Sequence, residues 1–285
     1  MKRAAADRAT RKHNGTTFGA KLDALIGVTG HRLASSHVTG VYLAKRLGIN
    51  ESQFTRKRNG EAPVNEREMC IIIDTFGIGA QVDYRIFLEP DVDAFLSTLK
   101  EARVGTYGSN QRYSLSQLLF NASRISKQSV KFSRIIGPFA PRGPLGLAQQ
   151  GTGHQTTLKI GSRVNIECVG PAEHHLVVLT ADRDAKTSVL MPSMFAPETK
   201  VSSKRVTLPT SRDFDTFDVT PDPGSHRLYA IWTDEQLASV LHRNFDPAEG
   251  VKDMDDRTAM AICKLFTAVP IEKRLVAACD YVVEK

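Results

Sequence analysis

Val41-Tyr42-Leu43-Ala44-Lys45-Arg46-Leu47-Gly48-Ile49-Asn50-Glu51-Ser52-Gln53-Phe54-Thr55-Arg56-Lys57-Arg58-Asn59-Gly60 decides how the first part of this chain folds. It reads as two short helices joined by a tight turn, the second ending in a basic cluster. Leu43, Ala44 and Leu47 give the first helix one apolar stripe. Gly48 supplies the positive φ that reverses the chain within one or two linking residues. Asn50 is a good N-cap for the next helix, and Glu51 in its first turn suits the macrodipole. Ala44 leaves room for two helices to cross closely, while Ile49 and Phe54 point back to close a small core. That leaves Glu51, Ser52, Thr55 and Arg56 on the outer face of the second helix, where a helix lying in a major groove presents side chains to base edges.

The stretch resembles the helix-turn-helix of the lambda-repressor/Cro (XRE) family. The resemblance runs from about Thr17 to Ile78. Phe18-Gly19-Ala20-Lys21-Leu22 is similar to that family's first helix. Asn65 to Ile78 is similar to its fourth, with the stop Phe76-Gly77-Ile78. Arg56-Lys57-Arg58-Asn59-Gly60 followed by Pro63 matches the exit from the recognition helix. The resemblance implies double-stranded DNA as partner. Glu51, Ser52, Thr55 and Arg56 would then read bases, and Lys45, Arg46, Arg58 and Asn59 would meet phosphates. It also implies a homodimer, because one short recognition helix touches too few base pairs for useful specificity. Two features depart from the family. The run His31 to Gly40 lengthens the link between the first two helices. Lys57 stands where an apolar or aromatic residue is usual, so only its aliphatic stem can pack. The competing reading is a helix pair used for packing or protein contact.

Charge is unevenly spread. Residues 1–60 hold twelve Lys and Arg against three acids, a surplus of +9. The whole chain carries +7, which leaves −2 for residues 61–285. Phosphate neutralisation needs such a local surplus. Met1 to Gly15 is basic and lacks an apolar core; it reads as a flexible tail or an arm along DNA. No apolar h-region follows its charges, which argues against a secretory signal. No run approaches bilayer length, so the expectation is a soluble cytoplasmic chain with no membrane partner. Cys70, Cys168, Cys263 and Cys279 are widely spaced within apolar runs. They read as buried free thiols in a reducing compartment.

A helix is expected over Asp91 to Arg103, a break at Gly105 to Asn110, and a second helix from Ser114 to Ser126. The Pro/Gly density between Gly137 and Gly153 marks a linker. Beyond it the pattern alternates: Val164, Ile166 and Cys168 against Arg163, Asn165 and Glu167. Further strands are expected at 175–180, 187–191, 205–208, 214–219, 226–232 and 274–283. Thr233 should cap a helix to about His242, and another should span Asp255 to Thr267. Short strands at this spacing point to an antiparallel β-sandwich.

Ile160-Gly161-Ser162-Arg163, Leu176 to Leu179, Val189 to Ser193, Val206 to Pro209 and Pro223-Gly224 before Leu228 to Ile231 resemble an uncharacterised bacterial β-sandwich domain. That domain occurs as an accessory unit in multidomain envelope, sensing and conflict proteins. Its acidic turn is replaced here by Asp182-Arg183-Asp184-Ala185-Lys186. The expected fold class is α+β multidomain, with an all-α helix-turn-helix domain followed by an antiparallel β-sandwich with added helices. The divisions are a tail at 1–15, a DNA-binding domain at 16–85, a helical connector and linker at 86–150, and a sandwich at 151–285.

Catalytic motifs are missing: GxSxG, a P-loop, GxGxxG after a strand and HExxH do not occur. His174 and His175 would point to opposite faces of a strand. Asp213, Asp215 and Asp218 lack the glycine and final Glu of a calcium loop. The expectation is a bacterial or phage-type transcription regulator with no catalytic residues, metal or cofactor. Its sandwich would sense an unknown ligand or bind a protein partner or a second copy. The alternative is a non-enzymatic interaction protein of a defence or stress system.

Overall fold

The computed structural model describes residues 18–26, 38–79, 82–107, 115–137, 156–184, 186–219 and 222–285. The basic tail 1–15, the Ser114 cap and nearly all of the 137–153 linker lie outside them, as does most of the long link from His31. The fold is α+β, with eight helices and two sheets among the described residues. The chain divides into two units, Met1–Ile125 and Ser126–Lys285. The segment expected as a connector at 86–150 is therefore shared between them. Its helices belong to the first unit, and the strand Ser129–Ile136 to the second. No helix among the described residues is long and apolar enough to cross a membrane.

In the first unit, α1 (18–26) buries Phe18, Leu22 and Leu25, spaced for one helix face. α2 (Gly40–Leu47) starts at Thr39, whose side chain accepts from Tyr42 N–H. It stops at Gly48, with φ 69°. There Gly48 N–H donates to Lys45 O and Ile49 N–H to Ala44 O, the paired bonds of a Schellman stop. α3 (Glu51–Arg58) follows at once under a reciprocal Asn50/Gln53 capping box. α4 (Glu66–Thr75) opens with the same device, Asn65/Glu68, and ends with the same stop at Gly77, φ 68°. A 3-10 turn (Tyr84–Leu88), α5 (Val92–Tyr107) and α6 (Leu115–Ser123) complete the unit. α5 runs through Gly105 to Tyr107, past the expected break. Asn121, on α6, donates to Gly79 O at 2.9 Å and Val82 O at 3.0 Å, holding the stretch after α4.

The second unit holds eleven strands among its described residues. β1 (Ser129–Ile136), β3 (Arg163–Val169), β7 (Arg205–Leu208) and β8 (Phe217–Asp218) form one antiparallel sheet. The other runs β10 (Lys252–Asp253), β5 (Thr187–Met191), β4 (His174–Ala181), β9 (Gly224–Thr233), β11 (Leu275–Glu284), β2 (Thr156–Lys159), with β6 (Lys200–Val201) on β4. Both sheets feed one apolar cluster. Val164, Ile166 and Cys168 enter it from the first sheet; Leu176, Val178, Leu228, Ala230, Trp232 and Tyr281 enter it from the second. Val177, Leu179, Tyr229 and Ile231 are also buried. Alternation puts them on the opposite face, where α7 (Glu235–Asn244) packs on β4 and against α8 (Asp256–Ala268).

Several expectations change here. β2 lies parallel to β11, so the second sheet is mixed rather than wholly antiparallel. β1 carries little strand signal in its sequence because its face alternates poorly: only Val130 in it is buried. The strand expected at 214–219 shrinks to two residues, with Phe214 packed on Phe195 instead. Asp234, not Thr233, caps α7, accepting from Leu237 N–H; Thr233 is the last residue of β9. Four free cysteines sit in these units, three of them buried. Burial, with nearby carboxylates for Cys70 and Cys168, pushes the Cys70, Cys168 and Cys263 thiols up to about 12, which keeps them protonated at neutral pH.

Gly170 follows β3 where the Trp232 indole crosses the chain, and a Cβ there would stand 2.2 Å from the ring. Trp232 is buried. Gly170→Ala should lower stability by about 1–3 kcal/mol through overpacking. The urea midpoint of the β transition measures it, and an unchanged midpoint would contradict the packing described.

Candidate nucleic-acid interface

The first unit presents α3 on its surface. Phe54 is buried, Lys57 is half-buried, and Glu51, Ser52, Thr55, Arg56 and Asn59 are exposed. Ser52, Thr55, Arg56 and Asn59 recur at i, i+3, i+4 and i+7, so they share one helix face directed away from Phe54. Three of the four residues named for base contact, Ser52, Thr55 and Arg56, thus stand together on the solvent side of α3, and Glu51 is exposed at the edge of that face. Lys45 lies exposed in the last turn of α2, beside half-buried Arg46.

The phosphate-contact set is less uniform. Arg58 makes a two-bond contact with Asp23 on α1, at 2.7 and 2.9 Å. Arg46 lies 3.6 Å from Asp74 on α4. Arg56 stands 3.9 Å from Glu61, both well exposed, a spacing that solvent weakens further. Asn59 Nδ2 approaches Glu61 Oε1 at 3.5 Å, the outer limit of a hydrogen bond. Lys45 has no carboxylate partner among the described residues. Lys21, one of the cations in the +9 surplus, is fully buried: its ammonium donates to Phe87 O at 2.9 Å and to Glu89 O. Burial lowers its pKa, opposed by Glu89 and Asp91. It is a strut inside the unit and offers nothing to a phosphate.

Helix α3 is held from two sides. At Gly19 of α1, a Cβ would fall 2.2 Å from Arg58 O, so the two backbones touch where only glycine fits. Gly19 and Asp23 share a face of α1, and together they grip the C-terminal end of α3. On the other side Lys57 Nζ donates to Glu68 Oε2 at 3.0 Å and to Pro63 O. Glu68 uses the same oxygen to accept Asn65 N–H at 3.0 Å. The stem of Lys57 packs as expected from the sequence; the ammonium goes to the α4 cap. The Asp23 and Glu68 partnerships were not read from sequence, because they join residues 35 and 11 apart and no local pattern marks them.

In the second unit the His pair divides. His174 Nδ1 meets Ala172 O at 2.9 Å, and His175 Nδ1 meets Thr199 Oγ1 at 3.0 Å. Thr199 in turn meets His242 Nε2 at 3.1 Å. Asp215 O accepts from Asn165 Nδ2 at 2.6 Å. Among the described residues no group of three His, Cys, Asp or Glu is placed to hold a metal ion. No protein-family model matches this chain, and no curated protein or solved structure matches it either.

The Lys57–Glu68 pair gives an asymmetric expectation. Lys57→Met keeps the stem and removes the charge, so stability should change by less than about 1.5 kcal/mol, as for a volume-conserving swap. Glu68→Ala removes the α4 cap and leaves a half-buried ammonium, and should cost about 1–3 kcal/mol. Paired denaturation curves of the two variants measure the difference; equal losses would contradict it.

Proposed function

We propose that this chain is a sequence-specific DNA-binding transcription regulator. Its first unit would be a helix-turn-helix of the XRE kind, with α3 as recognition helix. Its second unit would be a β-sandwich that senses a ligand or joins two copies, in a cytoplasmic homodimer. The observation that carries this reading is the set Ser52, Thr55 and Arg56, with Glu51 at its edge, exposed on one face of a doubly clamped helix. Preorganisation of that kind is what base reading requires, since a side chain must meet a base edge within a few tenths of an ångström. The local charge surplus supports it, with Lys45, Arg46, Arg58 and Asn59 as phosphate contacts.

One observation favours the other reading, a surface that binds protein. Arg46 and Arg58 already face Asp74 and Asp23. Phosphate contact would have to share or displace those carboxylates.

Selection of duplexes from a random-sequence pool, followed by anisotropy titrations, separates the two. Arg56→Ala should cost about 1–3 kcal/mol on the selected site and relax one position. Lys45→Ala should weaken all sequences alike and flatten the salt slope by about one. Equal binding of every duplex by wild type and Arg56→Ala would remove the base-reading claim. Light scattering on the same samples should give a dimer, with half-sites ~34–36 Å apart on the selected duplex. A monomer with and without DNA would count against it.

A further inference from the structure

Between the two sheets of the second unit lies a cavity of about 540 Å³, within the ~300–1,000 Å³ of small-molecule sites. Phe132 of β1 and Ile166 of β3 wall it on one side, and Leu228 of β9 and Tyr281 of β11 on the other. Phe195 and Phe217 also line it. The cleft is open to solvent at Asp218 and Val251, and its walls are mostly apolar, as in sites for small organic molecules.

Its chemistry narrows what that occupant is. Phe132 meets Tyr281 edge-on, centroids 5.1 Å apart at 74°, and Phe195 lies 5.1 Å from Phe217. Such walls offer ring faces and edges to a further planar ring. Three hydroxyls line the space. Ser188 spends its O–H on Asp253 at 2.7 Å. Thr180 and Tyr281 meet each other at 2.8 Å. Two hydroxyls bring two O–H groups, and their mutual bond uses one; the other remains to donate. Asp218 is the only charged residue among the described lining, and it is exposed at the rim. A lone carboxylate there disfavours an anion.

We propose that this cavity is a binding site for an uncharged planar aromatic small molecule carrying an acceptor oxygen, such as an aryl ketone, ester or lactone. The ring lies among Phe132, Phe195, Phe217 and Tyr281, and the acceptor takes the spare O–H of the Thr180–Tyr281 pair. Burial raises the Tyr281 pKa, and the hydrogen bond with Thr180 only partly opposes this, so the phenol stays protonated at neutral pH. The proposal names the ligand class of the sensing role given above and rests on that reading only for its consequence; binding itself does not require DNA.

The test titrates Prodan, a neutral naphthalene ketone whose emission shifts to the blue in apolar surroundings, into the chain of residues 1–285. Saturable binding of one Prodan per chain, with a blue shift, is expected. Tyr281→Phe combined with Thr180→Val, which removes both O–H groups of the pair, should weaken it roughly two- to tenfold, the worth of one hydrogen bond. Leu190→Trp, at a half-buried lining position, should fill the cavity and reduce binding at least tenfold. Val251→Trp, at an exposed lining position, serves if thermal melting shows that Leu190→Trp does not fold. Anilinonaphthalene sulfonate, similar in rings but anionic, should bind at least tenfold more weakly than Prodan. No saturable Prodan binding, full affinity in the folded tryptophan variant, or equal affinity for the sulfonate each overturns the proposal. Duplex binding measured on the same samples keeps the two readings apart: Prodan binding without DNA binding sinks only the regulator, and the reverse sinks only the cavity site.

Discussion

One carboxylate oxygen sets the pose of the candidate recognition helix. Glu68 Oε2 accepts the Asn65 N–H that starts α4 and also takes the Lys57 ammonium from α3. The start of one helix and the flank of another therefore share an anchor. A carboxylate bonded twice loses rotamer freedom once and fixes both partners, so the angle between α3 and α4 is set by chemistry rather than by shape alone. The grip of α1 on Arg58 restrains the far end. Between these two holds, α3 can keep an entirely polar outer face. Its only fully buried residue is Phe54, too little apolar contact to seat an eight-residue helix without them.

Local signals account for what was readable in the sequence. Asn50, Gly48, Asn65 and Gly77 are caps and stops whose effect lies within one turn, and the structure places each where the residue type demands. Alternation likewise marks β3, since Val164, Ile166 and Cys168 face one core while their neighbours do not. The same logic named the exposed set on α3 from helix period alone. What stayed hidden depends on contacts far apart in sequence. β2 is legible only through its parallel partner β11, more than a hundred residues on. β1 keeps a single buried residue and gains its identity from β3. The counter-ions of Arg46 and Arg58 are of this kind too, as is the burial of Lys21.

That last group changes how charge should be read. A surplus counted along a chain treats every Lys and Arg as surface. Here Lys21 spends its ammonium on two carbonyls in the interior, where it stabilises the link from α1 to the 84–89 turn and contributes nothing outside. Lys57, Arg46 and Arg58 each meet an acid. The described field around α3 is thus weaker than its composition implies. Lys45 and Arg56 carry proportionately more of it. Exposed pairs such as Arg58–Asp23 are weak in water and yield to a phosphate at modest cost, while the buried ones do not.

The second unit meets a different constraint. A sheet buried on both faces must be apolar on both, and β4 and β9 are: consecutive residues from Leu176 to Leu179 and from Leu228 to Trp232 are all inside. The helices α7 and α8 cover one face and the smaller sheet the other. Four strands cannot cover seven. Where the shorter sheet ends, at the two-residue β8, Phe217 of that strand and Phe195 line the cavity. Its hydroxyl pair sits on the two longer strands β4 and β11, each paired to β9 between them. A site built from rigid strands with a void at the sheet's short end holds its donors in place before anything binds. The mismatch in sheet size is therefore what makes a binding cavity possible within this fold.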